Sequence, residues 1–431
     1  MHVQRLTITK LRSKPKLEHY LTRVEGAGWH VILGDNGSGK STVVRALALA
    51  LMGQASAHAT RQEWARWLRQ GRDVGYVSVS VTQHEEDRWI GPGRRSASPI
   101  FSRAYIRADV EGGKQNERPA KIKFLNRHAK RTIWGNGFGW FSASFGAFRR
   151  FSGGDPRMDR LFMSHLWLAP HLSAFGEDVA LGESLLWLQE LETKKLEQDD
   201  EAAEIQNIVI KFINEARLLP HGARIEGVSS ERVEIVDGHG FRVEIQEMSD
   251  GYRSILSLTL ELMRLLFWAF GTEKTLNAID TDAGTIALPG VVAIDEVDAH
   301  LHPAWQQRIG EWFVARFPRM QFIVTTHSPI ICRAARHGSV WLLPAPDSKE
   351  ELRRVVGSEL ARLIDGNILD AYGTELFGAE VTRSEQSRDK LDQLARLNRR
   401  RLTHSLTAGE QRELEDLRAA MPTSANTAAP R

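Results

Sequence analysis

The sequence predicts an α/β fold, and three short stretches predict it. Trp29–Leu33 is an apolar strand that runs into a glycine-rich loop and then a helix. Val291–Ile294 is a continuous apolar run that stops at Asp295 and Glu296. Gln321–Thr326 is another strand, and it stops at His327. Unbroken apolar strands set among helical segments read as parallel strands covered on both faces.

The flanking elements follow in order. Met1–Thr9 alternates like a strand and lacks a secretory core. The helix after the loop runs from Ser41 to about Met52, with Gly53 as its stop. Arg61–Arg72 reads as helical, and Gly75–Thr82 as a strand. From Trp89 to Phe151 the pattern is one of loops and short strands, with a basic run at Lys121–Arg131. Met158–Leu219 reads as a helical hairpin, with an apolar stripe of Leu185, Leu186, Leu188, Leu191 and Leu196. Short strands are expected at Arg224–Val228, Arg232–Val236 and Phe241–Gln246, with a turn at Asp237–Gly240. A helix begins near Asp250, with Ile255, Leu258, Leu262 and Leu265 at helical spacing. After Pro344 the chain reads as helical and charged to about Ala420, and the composition of 421–431 predicts disorder.

Bulk composition narrows the class. With 431 residues there is room for two or three domains. A hydrophobic content of 42% and a charged content of 26% are those of a soluble globular protein. No apolar run approaches a membrane span, so no membrane partner is expected. The one cysteine, Cys332, excludes an intrachain disulfide and fits a reducing cytoplasm. A net charge of +3 over this length is weak support for a nucleic-acid partner.

Gly34-Asp35-Asn36-Gly37-Ser38-Gly39-Lys40-Ser41-Thr42 matches the phosphate-loop pattern at every fixed position. Glycines allow a tight curl that points successive N–H groups at phosphates, and the following helix adds its positive end. Lys40 is placed to reach the β and γ phosphates of ATP, and Ser41 to hold Mg²⁺. Asp295 and Glu296 lie where open α/β sheets bind ligands, at the carboxyl end of a strand. Asp295 is expected to hold Mg²⁺ through water, and Glu296 to deprotonate the attacking water. His327, ending the next strand, is expected to sense the γ-phosphate.

Together with Ser249-Asp250-Gly251-Tyr252-Arg253 and the loop Asp298–Pro303, these motifs resemble the ABC-type ATPases of the SMC/RecF/OLD group. The resemblance covers roughly residues 1–345 and implies a P-loop NTPase head with a mixed sheet, a helical insertion and a helical tail. It implies that Ser249, Gly251 and Tyr252 contact the ATP held by a second subunit, that Asp298 lies across the dimer seam, and that Arg12 touches phosphate. The active unit would then be a homodimer or a higher homo-oligomer. The glutamine such heads carry in a loop after the phosphate helix is not evident; Ser144–Arg150 occupies its region. The arginines there are open to two readings, a contact to nucleotide or partner and a solvated basic turn. Ala371–Gly378 and the charged helices around Leu391–Leu397 and Glu410–Leu417 resemble the tails of AAA_21/AAA_15-type ATPases of bacterial defence operons, with the Septu and retron-associated ATPases as comparisons.

The domain division expected on this basis is a first ATPase lobe at 1–157, a helical insertion at 158–222 and a second lobe at 223–345. A helical partner-binding region at 346–420 and a tail at 421–431 complete it. Neither an HNH pattern nor an acidic metal cluster follows the head, so the chain itself is expected to carry no nuclease. The favoured function is a regulatory ATPase that gates a separate effector, an HNH-type nuclease by the resemblance. The alternatives are a RecF-like repair ATPase that binds DNA or RNA through Asn126–Arg131, Arg149, Arg150 and the nearby Trp134, Phe138 and Trp140, and a slow nucleotide-locked scaffold.

Overall fold

The structure, a computed structural model, describes residues 1–12, 14–20, 26–92, 99–109, 119–125, 128–134, 139–151, 168–176, 179–346, 348, 350–366, 385–403 and 406–420. They fall in two units, Met1–Gly366 and Asn367–Arg431.

In the larger unit, strand β1 (His2–Leu11) pairs antiparallel with β2 (Lys14–Tyr20). Strand β3 (Gly28–Leu33) is buried along its whole length and leads through the glycine-rich loop to helix α1 (Lys40–Ala59). The helix carries apolar residues on every side, so it must be enclosed all round. Its helical geometry breaks at Gly53 (φ 80°), the expected stop, and resumes to Ala59. Strands β4 (Val74–Thr82), β5 (Ile100–Ala108) and β6 (Ala120–Leu125) complete a five-stranded antiparallel sheet in the order β2-β1-β4-β5-β6. Strand β7 (Ser142–Phe145) belongs to a second sheet.

Helices α2 (Glu183–Leu196) and α3 (Asp200–Glu215) form the expected hairpin, with Asp199 capping α3 through the N–H of Ala202. The apolar stripe of α2 is narrower than expected. Leu185, Leu188 and Leu191 are buried, whereas Leu186 (58% exposed) and Leu196 face outward. A small antiparallel sheet follows, of β8 (Arg224–Val228), β9 (Val233–Val236) and β10 (Arg242–Glu244). Its turn is held by Asp237, whose carboxylate accepts from the N–H groups of His239 and Phe241. Next come helix α4 (Asp250–Phe270), the short α5 (Thr272–Asn277) and the strand pair β11 (Ile279–Asp280) and β12 (Thr285–Ile286).

Strand β13 (Gly290–Ile294), helix α6 (Pro303–Arg316), strands β14 (Met320–Thr326), β15 (Gly338–Leu342) and β16 (Arg353–Val355), and helix α7 (Gly357–Asp365) complete the unit. The second sheet runs β16-β15-β3-β14-β13-β7, parallel except for the edge strand β16. Helix α1 packs against both sheets. Val43, Leu47 and Leu51 share one core with Leu6 and Ile8 of β1, Val77 and Val79 of β4, and Val291 and Ile323 of the parallel sheet. Each such side chain contributes about 1.5–3 kcal/mol on burial.

Two expectations are corrected. Arg61–Arg72 forms only a single turn, Trp64–Trp67, because burying Trp64 and Trp67 three residues apart takes one turn. The stretch after Pro344 is not helical throughout, since β16 first adds an antiparallel edge to the main sheet. In the smaller unit, α8 (Glu385–Thr403) and α9 (Ala408–Ala420) pack through Leu394, Leu397, Leu414 and Leu417. Residues 158–167, the Ala371–Ser384 segment and the 421–431 tail lie outside the described residues. Among the described residues no helix is long and apolar enough to cross a membrane.

Candidate nucleotide-binding site

The parallel register brings four strand ends to one edge of the sheet. Leu33 is level with Thr326, Ile294 with Val324, and Ile294 with Phe145. The residues that follow these ends are Gly34, His327, Asp295 and Gly146. Motifs separated by hundreds of residues in sequence therefore meet along one line.

Gly37 (φ 78°) and Gly39 (φ 93°) take the left-handed conformation that lets the loop curl. Gly39 precedes α1 without a side-chain cap, so the first N–H groups of the helix point into the loop. Lys40 Nζ donates to the carbonyls of Gly34 (2.8 Å) and Asp35 (3.0 Å). Burial lowers the Lys40 pKa, while Glu296, Asp295, Asp298 and Asp35 pull it up, which sets the ammonium among the acidic residues. Ser38 Oγ is buried with no hydrogen-bond partner. An orphaned hydroxyl beside uncapped amides fits a phosphate group.

The acidic turn after β13 is fastened by two threonines of β14. Thr325 Oγ1 donates to Asp295 (2.6 Å) and accepts the N–H of Glu296 (2.9 Å). Thr326 Oγ1 donates to Asp298 (2.5 Å) and accepts the N–H of Ser328. Glu296 itself sits at φ 44°, a conformation that costs a non-glycine residue about 1–2 kcal/mol. Asp298 is 5% exposed, and its other oxygen lies 3.4 Å from Nε2 of the exposed His327. Within the chain its two oxygens are thus engaged by Thr326 and His327, and the loop after it approaches the 249–253 segment. Gly251 comes so close to the carbonyl of His300 that a Cβ there would lie at 3.0 Å.

Ser249 precedes α4, again without a side-chain cap, and Arg253 braces the turn through the Asp250 carboxylate and the carbonyl of Gln246. The open helix start faces a cavity of 670 Å³ lined by Ser249, Gly251, Tyr252, His300, Trp305 and Arg308 among others. None of the phosphate-loop residues Gly34–Thr42 lines it.

Two family comparisons match this part of the chain. AAA_21, "AAA domain, putative AbiEii toxin, Type IV TA system", matches residues 125–333, and AAA_23, "AAA domain", matches 25–219. The solved SmcHead bound to the C-winged helix domain of ScpA superposes with a TM-score of 0.50 at 14% identity, over 84% of this chain and all of that one. Between them the two matches span residues 25–333, so over that stretch the chain is similar to AAA-domain proteins, and its fold is that of the SMC head. Among similar proteins, Septu protein PtuA of Bacillus mycoides is 23% identical over 78% of this chain and 39% of its own length. "Retron Ec83 probable ATPase" of Escherichia coli is 38% identical over 25% of this chain and 18% of its own length. The chain thus spans well under half of the curated relatives it matches.

The remaining expected site residues take varied places. Arg12 (φ 46°) is half-buried, stacks over Trp67 at 4.7 Å, and has its pKa pushed down to about 10 by burial and by Arg45 of α1. Arg149 is 4% exposed and is no solvated turn residue. It donates to the carbonyls of Gly146, Asp295, Glu296 and Val297 and to the Ser254 hydroxyl. The sequence leaves its role open, because four of its five acceptors lie more than one hundred positions away. Of the groups invoked for DNA or RNA, Arg149 and Trp140 are buried, Trp134, Arg131 and Arg150 are half-buried, and His128 and Lys130 are exposed. Trp140 is buried with its indole on the carbonyl of Arg88, Trp134 donates to Ala50, and Arg131 donates to Ile90, Gly91 and Pro92. Asn126 and Phe138 lie outside the described residues.

Proposed function

We propose that the chain binds and hydrolyses ATP between two heads, as the regulatory subunit of a bacterial anti-phage defence complex that gates a separate nuclease-type effector. The observation that carries the reading is the separation of two half-sites. The phosphate loop, acidic turn and His327 share one sheet edge, while the uncapped start of α4 opens into a cavity without them.

In this reading Gly34, Asn36, Gly37, Ser38 and Gly39 wrap the phosphates, Lys40 reaches the β and γ phosphates, and Thr42 supports the loop. Ser41 and Asp295 hold Mg²⁺, which supplies charge neutralisation when bound. One carboxylate and one hydroxyl suffice for an ion whose other ligands are phosphates and water. Glu296 takes the proton of the attacking water. His327, oriented by Asp298, donates to the γ-phosphate. Ser249, Gly251 and Tyr252 of each subunit close over the ATP of the other, so charge on the γ-phosphate meets a helix N-terminus. Arg12 stands beside α1 as a further phosphate contact.

The defence role rests on relationship to Septu PtuA and retron ATPases. The test is purification from the source cell with and without ATP, followed by mass spectrometry. Co-elution of a nuclease supports the reading, and co-elution of DNA-repair factors alone contradicts it.

A further inference from the structure

Arg149 uses every donor it has. Nε donates to Ser254 Oγ (3.1 Å), Nη1 to the carbonyls of Gly146 and Asp295 (both 2.8 Å), and Nη2 to those of Glu296 (3.0 Å) and Val297 (3.3 Å). A guanidinium has five N–H groups, and these five bonds take them all. Three acceptors belong to the turn that carries Asp295 and Glu296. The fourth carbonyl is at the end of β7, and the hydroxyl is on α4, five residues after Ser249.

Burial pushes the Arg149 pKa down to about 10 while Asp295, Asp298 and Glu296 pull it up, so the cation stays charged at neutral pH and balances the acidic turn. A lysine, with three donors and no planar fork, cannot span the same acceptors. A residue needed only to fill this space would not require five aligned acceptors drawn from three separate elements.

We propose that Arg149 is a positioning residue that couples the two ATP sites of the dimer through a single subunit. The proposal rests on the two-headed reading above. In such a dimer, one subunit gives its acidic turn to one ATP and the start of α4 to the other. Arg149 is bonded to both. With no donor to spare, it cannot let α4 shift without drawing on the carbonyls around Glu296. ATP seated against α4 therefore acts on the catalytic geometry of the opposite site, and hydrolysis becomes cooperative in ATP.

The test compares wild type with Ser254→Ala, which cuts only the link to α4, and with Arg149→Lys. Turnover is measured against ATP concentration, ATP affinity is measured on Lys40-intact chains at equilibrium, and the assembly is sized with ATP. The expected result is a wild-type Hill coefficient well above one, approaching about two for two sites. Ser254→Ala should bring it toward one, with ATP affinity within twofold of wild type. Arg149→Lys should do the same and lower turnover as well; if it fails to fold, Ser254→Ala decides alone. An unchanged Hill coefficient in Ser254→Ala, or a wild-type dimer that hydrolyses without cooperativity, overturns the inference while leaving the shared-site reading in place. Absence of any ATP-dependent dimer overturns both.

Discussion

Thr325 donates its hydroxyl hydrogen to Asp295 across 2.6 Å, from the fully buried end of β14. The same oxygen accepts the N–H of Glu296. One threonine thus holds both the Asp295 carboxylate and the Glu296 backbone. Thr325→Val keeps the shape and removes the hydroxyl, leaving buried polar groups short of a partner at about 1–3 kcal/mol. Thermal unfolding should move down accordingly. Turnover should fall about 10- to 100-fold through misplacement of Glu296, with ATP affinity nearly unchanged. Wild-type turnover in this variant would remove Thr325 from the account.

Lys40→Ala tests the phosphate loop. Loss of a charge-assisted contact worth about 1.5–3 kcal/mol should weaken ATP binding about 10- to 100-fold by titration calorimetry. Undiminished binding would sink the assignment of Gly34–Thr42.

Glu296→Gln removes the base and keeps the shape. Turnover should fall about 10²- to 10⁴-fold while ATP still binds, and ATP-dependent dimers should accumulate on sizing columns with light scattering. A variant that hydrolyses at the wild-type rate would move the base to another residue.

His171 gives a pH dependence with a defined sign. It is buried between the hydroxyls of Ser144 (2.9 Å) and Ser142 (3.3 Å), and burial pushes its pKa down to about 3. The unfolded chain binds the proton near pH 6.5, so stability from the neutral imidazole is fully present above that pH and is lost as pH falls from 6.5 toward 3. At pH 5 the loss should be about 2 kcal/mol. Denaturant midpoints at pH 7 and pH 5 should show it, and His171→Gln should flatten the difference. An equal pH effect in that variant would assign it elsewhere.

The α/β class was legible because the core parallel strands are largely apolar, as at Val291–Ile294, and two of them stop at a reactive residue, Asp295 and His327. The phosphate loop was legible because every bond it needs is local. What escaped depends on distant partners. Arg149 looks like any arginine after a glycine, since its five acceptors come from residues over one hundred positions away as well as from Gly146. Leu186 belongs to an apolar stripe by spacing but faces outward, because only tertiary packing decides how wide the buried face is. Trp134 and Trp140 suggested a stacking surface because composition cannot separate an exposed indole from one that hydrogen-bonds inside the fold.

The central claim is that each ATP is shared by two subunits. Lys40→Ala chains and Ser249→Arg chains, each inactive alone, should be mixed and their ATP hydrolysis measured across mixing ratios. A mixed dimer keeps one intact site, formed by Lys40 of the Ser249→Arg chain and Ser249 of the Lys40→Ala chain. The account predicts turnover that rises to a maximum near equal proportions. No activity at any ratio, with both chains folded and the Ser249→Arg chain still binding ATP, would contradict it.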